Sequence, residues 1–156
     1  MAHADAHRTQ PSPTAAAVLA TLHCLTGCAI GEVLGMVLAT ALDWSNATSI
    51  AVSVALAFAF GYALTMRPVL RANLGVRRAL GVAFAADTVS IATMELVDNA
   101  FIALVPGALA AGLADGLFWW SLAVSLVIAF VLTVPVNRWL LARGRGHAVV
   151  HELHGH

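Results

Sequence analysis

The sequence predicts an all-α integral membrane protein with four transmembrane helices. The chain has 156 residues, of which 60% are hydrophobic and only 10% are charged, and its mean hydropathy is +0.86. Its apolar residues fall into four runs, each long enough to cross a hydrocarbon core of roughly 30 Å as a helix. Short segments with charges, Pro or Gly separate the runs. This combination excludes an ordinary soluble domain of this size.

The predicted helices follow from where the apolar runs begin and end. A polar turn begins at Asp43, Pro68 ends or kinks the second helix, and Pro106-Gly107 breaks the third. The predicted segments are a disordered tail (1–14), a transmembrane domain (15–142) with helices at about 15–42, 49–66, 80–105 and 117–134, and a His-rich tail (143–156).

The arginines predict the topology. Loops 43–48 and 106–116 contain no Arg or Lys, whereas segments 67–79 and 138–145 together hold seven of the eight arginines. Positively charged loops face the cytoplasm. Both termini are therefore expected in the cytoplasm, with the protein in the inner membrane of a bacterium.

A duplication is one interpretation of the helix order. When the chain is shifted by 68 residues, SVALAFAFGYALT (53–65) lies over SLAVSLVIAFVLT (121–133) with four identities. Two hairpins of the same orientation would form a parallel repeat about the membrane normal. Four matches in apolar sequence also arise by chance, so the repeat remains an open alternative.

Thiol, imidazole and acidic groups interrupt the first apolar run near its middle. Cys24, Cys28 and Glu32 are four residues apart, so on a helix they drift only about 80° around one face. His23 lies on the neighbouring face. Such groups are costly in lipid and usually face a bundle interior or a cavity. The cysteine spacing favours reduced thiols over a disulfide.

The third run carries ligand-like groups at the same predicted depth. At 1.5 Å per residue, those of helix 1 lie within about 6 Å of the bilayer centre and those of helix 3 within about 9 Å. No Lys or Arg is predicted there, so the carboxylates require a proton or a cation. The groups on helix 3 are Asp87, Met94, Glu95 and Asp98.

A face of small residues is expected to let helices 1 and 3 approach each other. Gly27, Gly31 and Gly35 recur every four residues on helix 1, and His23 lies close to that face. Two thiols with His and Met form a soft to borderline ligand set, which suits Cu(I) or Zn(II) better than Mg²⁺ or Ca²⁺. The predicted metal ligands are His23, Cys24, Cys28, Glu32, Met94 and Glu95, and the predicted proton or cation relay residues are Asp87 and Asp98.

These features favour a small membrane transporter or channel for a soft metal cation, copper first and zinc second, rather than an enzyme. A four-helix protomer leaves little room for a pathway, so a homo-oligomer is expected. A formal net charge of zero gives no reason to expect a nucleic-acid partner. The C-terminal tail adds a candidate metal-capture site formed by His147, His151, His154 and His156.

Two alternatives stay open from the sequence. One is a haem-binding membrane redox protein with His23 and either Met94 or Met36 as axial ligands. The other is a structural or partner-binding subunit whose acids pair with Arg side chains of another protein. A hydrolase is disfavoured because the sequence contains no nucleophile elbow, phosphate loop or HExxH motif.

Two stretches, HCLTGCAIGEVLGM (23–36) and DTVSIATMELVDN (87–99), carry a resemblance to known proteins. Through them the chain resembles an uncharacterised bacterial family of four-helix membrane proteins with HCxxGCxxGE-type and MExxDN-type motifs. The resemblance covers most of residues 20–140. It implies the four-helix fold and supports the choice of residues, but it implies no activity. The matching residues are His23, Cys24, Gly27, Cys28, Gly31, Glu32, Met94, Glu95, Asp98 and Asn99.

Overall fold

A computed structural model describes residues 12–71 and 76–143. In these ranges the chain is all-helical, as predicted, and contains no strand. It has four long helices and one 3₁₀ turn: α1 (Pro13–Leu42), α2 (Asn46–Arg71), α3 (Val76–Leu104), the turn at Ala108–Ala110, and α4 (Gly116–Ala142). The predictions about residues 1–11 and about the four C-terminal histidines fall outside the described residues.

Three of the helices are long and apolar enough to cross a membrane. They are α1, α2 over Asn46–Arg67, and α4. The remaining helix, α3, has 29 residues and is therefore about 43 Å long. It is more polar than the others because Asp87, Glu95 and Asp98 lie within it. By length and composition, three of the four described helices are therefore suited to span a membrane.

Two helices extend beyond their predicted ends at about residues 66 and 134. The helix α2 continues past Pro68 to Arg71, and α4 passes through Pro135 and ends at Ala142. Proline removes one backbone hydrogen bond. Long helices in apolar surroundings tolerate this loss because neighbouring groups and local adjustments satisfy the freed carbonyl.

The ends of α1 are defined by local hydrogen bonds. Ser12 caps the first turn by accepting a bond from the Ala15 amide (3.2 Å), and Pro13 follows as the first helical residue. At the other end, Asp43 adopts a left-handed conformation (φ 52°) and its amide bonds back to the Ala39 carbonyl. This reversal starts the short turn into α2.

The four helices form an up-down-up-down bundle. Each helix contacts its sequence neighbour, α1 also contacts α4, and α1 contacts α3 across the diagonal. The core therefore lies between α1 and α3, flanked by α2 and α4. Its central buried cluster consists of Cys24, Cys28, Ala57, Ile91, Met94 and Ala129.

The small-residue face of α1 packs against α2. A Cβ atom built on Gly27 would lie 2.6 Å from the Gly61 nitrogen, and one built on Gly31 would lie 2.7 Å from the Ala57 Cα. Gly35 meets Ser53 in the same way one turn later. The prediction that this face brings α1 against α3 is wrong. Glycine spacing indicates that a backbone comes close, but it does not specify which one.

We expect the substitution Gly31→Ala to destabilise the protein by about 1–3 kcal/mol, because the added methyl group meets α2 backbone rather than a flexible side chain. Gly81→Ala is the matched control, since a Cβ there meets nothing within 4 Å. Thermal unfolding of the detergent-purified variants measures the difference. Equal midpoints for the two variants would contradict the close α1–α2 contact.

Candidate functional site

Facing residues join α1 and α3 at three successive helical turns. Members of the central pair are 66 residues apart in sequence, and the same separation holds for the other two. A constant separation means that the two helices run parallel, with the pairs stacked in layers about 6 Å apart. The pairs are Cys24 with Ser90, Cys28 with Met94, and Glu32 with Asp98.

The middle layer is a pair of sulfur atoms. The Cys28 thiol donates to the thioether of Met94, with 4.0 Å between Sγ and Sδ. Both side chains are buried, with exposures of 2% and 1%. Cys24 lies one turn away and is also buried, and neither cysteine forms a disulfide. The apolar neighbours Ile91 and Ala129 close the layer on its sides.

Carboxyl groups form the next layer. Asp98 and Glu95 are 3% and 5% exposed, and Glu95 also interacts with the Cys28 thiol. Glu32 is half-buried and interacts with both acids of α3. The Ser125 hydroxyl of α4 donates a hydrogen bond to Asp98. Three helices therefore meet around one group of acids.

Most oxygen atoms of this acid group lack a hydrogen-bond partner among the described residues. They include both carboxyl oxygens of Glu95, Oδ2 of Asp98 and Oε1 of Glu32. An ionised carboxylate is very costly to bury without a compensating charge. The group can therefore exist in this environment only with bound protons or a bound cation.

His23 is placed apart from the buried groups. Its side chain is exposed, and its Nδ1 atom lies 3.0 Å from the Leu19 carbonyl on the same helix. Asp87 is buried (8% exposed) and lies near both His23 and Cys24. The imidazole therefore lies on the outer surface of α1 rather than beside the buried thiols. The step of 100° from Cys24 to its neighbour carries His23 out of the core.

The predicted ligands do not form one coordination sphere. Within residues 12–71 and 76–143, no group of three or more His, Cys, Asp or Glu side chains has an arrangement that could hold a metal ion. The sulfur pair is not a group of this kind, because it has two ligand atoms and one of them belongs to a methionine, Met94. What the structure brings together is this pair with Glu95 beside it.

A polar layer that the sequence did not indicate closes the site on the side of Cys24. The Asn137 amide donates to Thr21 Oγ1 (2.8 Å) and to Ser90 Oγ (3.1 Å), so it links α4 to both α1 and α3. All three side chains are at most 5% exposed. The available signal was a stripe of small or polar residues every four positions on α4, formed by Ser121, Ser125, Ala129, Thr133 and Asn137.

A cavity of about 250 Å³ lies at the opposite end of the site, between the α1–α2 turn and the α3–α4 connection. Glu32 and Asn99 line its inner part, and the exposed Asp43 and Asn46 lie at its rim. Glu32 and Asp43 are eleven residues apart on α1, which corresponds to about 16 Å of helix. The cavity thus extends from the bundle end to the carboxyl layer.

We expect Asn137→Leu to reduce stability by about 1–2 kcal/mol, because two buried interhelical hydrogen bonds are lost in apolar surroundings. Thr26→Val is the control, since the exposed Thr26 hydroxyl bonds only to the Leu22 carbonyl of its own helix. Unfolding in detergent measures both. A loss no larger than that of Thr26→Val would show that the Asn137 layer carries no stability.

Comparison with known proteins identifies the family without an activity. No curated protein matches the chain, and no solved structure does so either. A family model described as a domain of unknown function, DUF4396, matches residues 15–146, which include all four helices. The chain therefore belongs to the DUF4396 family.

Proposed function

We propose that the protein moves a soft metal cation, Cu(I) in the first place, across the bacterial cytoplasmic membrane. All four helices span the bilayer in this proposal, including α3, whose acids face the bundle interior rather than lipid. The arginine distribution favours cytoplasmic termini. The cavity then opens on the outer side, and the Asn137 layer lies toward the cytoplasm.

The sulfur pair is the observation that carries this proposal. With a metal–sulfur bond of about 2.3 Å, two sulfur atoms on one ion lie about 3.8 Å apart at a tetrahedral angle and about 4.6 Å apart when linear. The distance of 4.0 Å between Cys28 Sγ and Met94 Sδ falls inside this interval. A thiolate and a thioether are soft ligands, which select Cu(I). The spacing of the two sulfur atoms is thus compatible with a shared ion.

Zinc is the weaker candidate. It is usually held by four N, S or O ligands in a tetrahedral arrangement, and the described residues contain no group of three such side chains of the Cys, His, Asp or Glu type. Haem ligation has no support in the arrangement of His23 and Met94. The His23 side chain is exposed, whereas Met94 is fully buried. Neither residue lines the cavity, although Met36 does.

Charge balance explains why acids surround the sulfur pair. When Cu(I) binds, the Cys28 thiol loses a proton and the thiolate takes the metal, so the net charge of the pair stays the same. The Glu95 side chain lies beside the thiol, so the released proton can leave the core through the acid group. Glu32 and Asp98 continue the acid group toward the cavity. Ion entry and proton release can therefore proceed without leaving an uncompensated charge in the core.

A parallel repeat of two hairpins and a homo-oligomer are also part of the proposal. The separation of 66 residues between facing positions of α1 and α3 is close to the 68-residue shift that aligns 53–65 with 121–133. In a repeat about the membrane normal, equivalent residues lie at equal depth. A bundle whose diagonal is filled by tightly packed Cys28 and Met94 leaves little room for an open pore, which favours several copies.

We expect purified wild-type protein to bind one Cu(I) per chain. Cys28→Ser should abolish binding and Met94→Leu should weaken it by at least about 100-fold, because each removes one of two soft ligands. Met36→Leu is the matched control, since Met36 lines the cavity and not the sulfur pair. Elemental analysis and competition with a Cu(I) chelator measure the effects. Unchanged stoichiometry in Cys28→Ser would overturn the copper assignment.

We also expect the apparent Cu(I) affinity to rise with pH, by about tenfold per unit, as long as one thiol proton is released for each ion bound. The proton competes with the metal wherever the free thiol is protonated, so binding weakens as the solution becomes more acidic. A titration in weak buffer should record the released proton directly. Binding that does not respond to pH would mean that the thiolate of Cys28 is not a ligand.

A further inference from the structure

The cavity at the end of the bundle has the lining of an entrance for cations. Its side chains include two acids, Glu32 and Asp43, and several neutral oxygen donors. No Arg or Lys is among the described residues that line it. A concave surface with charge of a single sign and low-dielectric walls concentrates ions of the opposite sign.

The size of the cavity matches a hydrated ion rather than a bare one. Since water occupies about 30 Å³ per molecule in the liquid, a volume of about 250 Å³ accommodates roughly eight water molecules. Hydroxyl and amide groups of Ser49, Asn46 and Asn99 line the wall and can bond to the hydration shell. An ion therefore need not lose its water at the rim.

The inner end of the cavity leads to carboxyl oxygens that lack a hydrogen-bond partner among the described residues. Oε1 of Glu32 is buried without a hydrogen-bond partner among the described residues, and Glu32 interacts with Asp98 behind it. Asp98 is 3% exposed and its Oδ2 is also without a partner there. Carboxyl oxygens without hydrogen-bond partners thus lie at the inner end of the cavity and directly behind it.

We propose that this cavity is a water-filled entry site for hydrated monovalent or divalent cations, with Glu32 as the residue that attracts them. Access is from the side of the α1–α2 turn, and at the other end of the described bundle the Asn137 layer joins three helices. The inference deepens the proposed function, on which it rests for the identity of the ion carried further. The access itself requires no copper.

Charged thiol reagents test this entry site directly. The background carries Cys24→Ser and Cys28→Ser, and single cysteines are introduced as Asn99→Cys in the inner cavity and Ser49→Cys in its wall. Thr93→Cys is the control, because Thr93 is half-buried on the same helix as Asn99 but does not line the cavity. Membrane-impermeant trimethylammonium and sulfonate methanethiosulfonates are added to right-side-out vesicles, and rates are corrected for reaction with a free thiol.

We expect the cationic reagent to modify Asn99→Cys about tenfold faster than the anionic one, with little modification of Thr93→Cys. Adding Glu32→Gln should bring the two rates close together, because the attracting charge is removed. If Asn99→Cys fails to accumulate, the ratio of the cationic to the anionic modification rate at Ser49→Cys tests the proposal in its place. Equal rates for the two reagents, a ratio that Glu32→Gln leaves unchanged, or modification no faster than at Thr93→Cys would overturn the proposal.

This experiment separates the entry site from the copper site. The background variant lacks both thiols, so copper binding by Cys28 contributes nothing to the modification rates. Charge-selective modification together with a failure of wild-type protein to bind Cu(I) would leave the entry site standing and remove the copper proposal. Normal Cu(I) binding together with equal modification rates for the two reagents would leave the copper proposal standing and remove the entry site.

Discussion

The contact between the glycine face of α1 and the backbone of α2 determines the orientation of the rest of the site. Gly27 and Gly31 bring the two helices so close that no side chain fits between them. Because successive residues on a helix differ by 100°, fixing this face against α2 turns the neighbouring face of α1 into the bundle. That neighbouring face carries Cys24, Cys28 and Glu32. Glycine thus positions the chemistry without taking part in it.

This orientation explains why three polar layers form with parallel register. Since α1 faces α3 across the diagonal, a four-residue step on one helix meets a four-residue step on the other, and the thiol, sulfur and carboxyl layers follow in order. The flanking helices complete the layers. Ser125 of α4 bonds to Asp98, and Asn137 of the same helix bonds to Ser90. Helix α4 thus supplies the hydrogen-bonding side chains for the buried polar groups of α3.

The sequence was sufficient to predict the four helices and the common level of Cys28 and Met94 on α1 and α3, because both follow from the length of the apolar runs and the rise per residue. It was insufficient wherever the answer depended on rotation. His23 and Cys24 are adjacent in sequence, yet the His23 side chain is exposed and the Cys24 side chain is buried, with an exposure of 1%. The sequence also did not show which helix the glycine face contacts, since close packing against α2 or against α3 requires the same glycine spacing in α1.

The Asn137 layer escaped prediction for a different reason. The predicted last helix ends at about residue 134, so Asn137 lies beyond the predicted helix. The helix continues to Ala142 and carries the amide into the core. There its hydrogen bonds to Thr21 and Ser90 satisfy the amide. Uncharged polar groups give a weak signal in hydropathy, and only their four-residue spacing on α4 marks them as interior.

The order of the layers divides attraction from selection in the proposed pathway. Carboxylates attract cations of every kind, because a full charge acts at long range and with little regard to ligand preference. A thiolate and a thioether discriminate, since soft ligands favour soft ions. A cation that enters through the cavity meets Glu32 and Asp98 before it meets Cys28 and Met94. The reverse order would expose the sulfur pair to solvent and oxidants, whereas here it stays 1–2% exposed behind the acids.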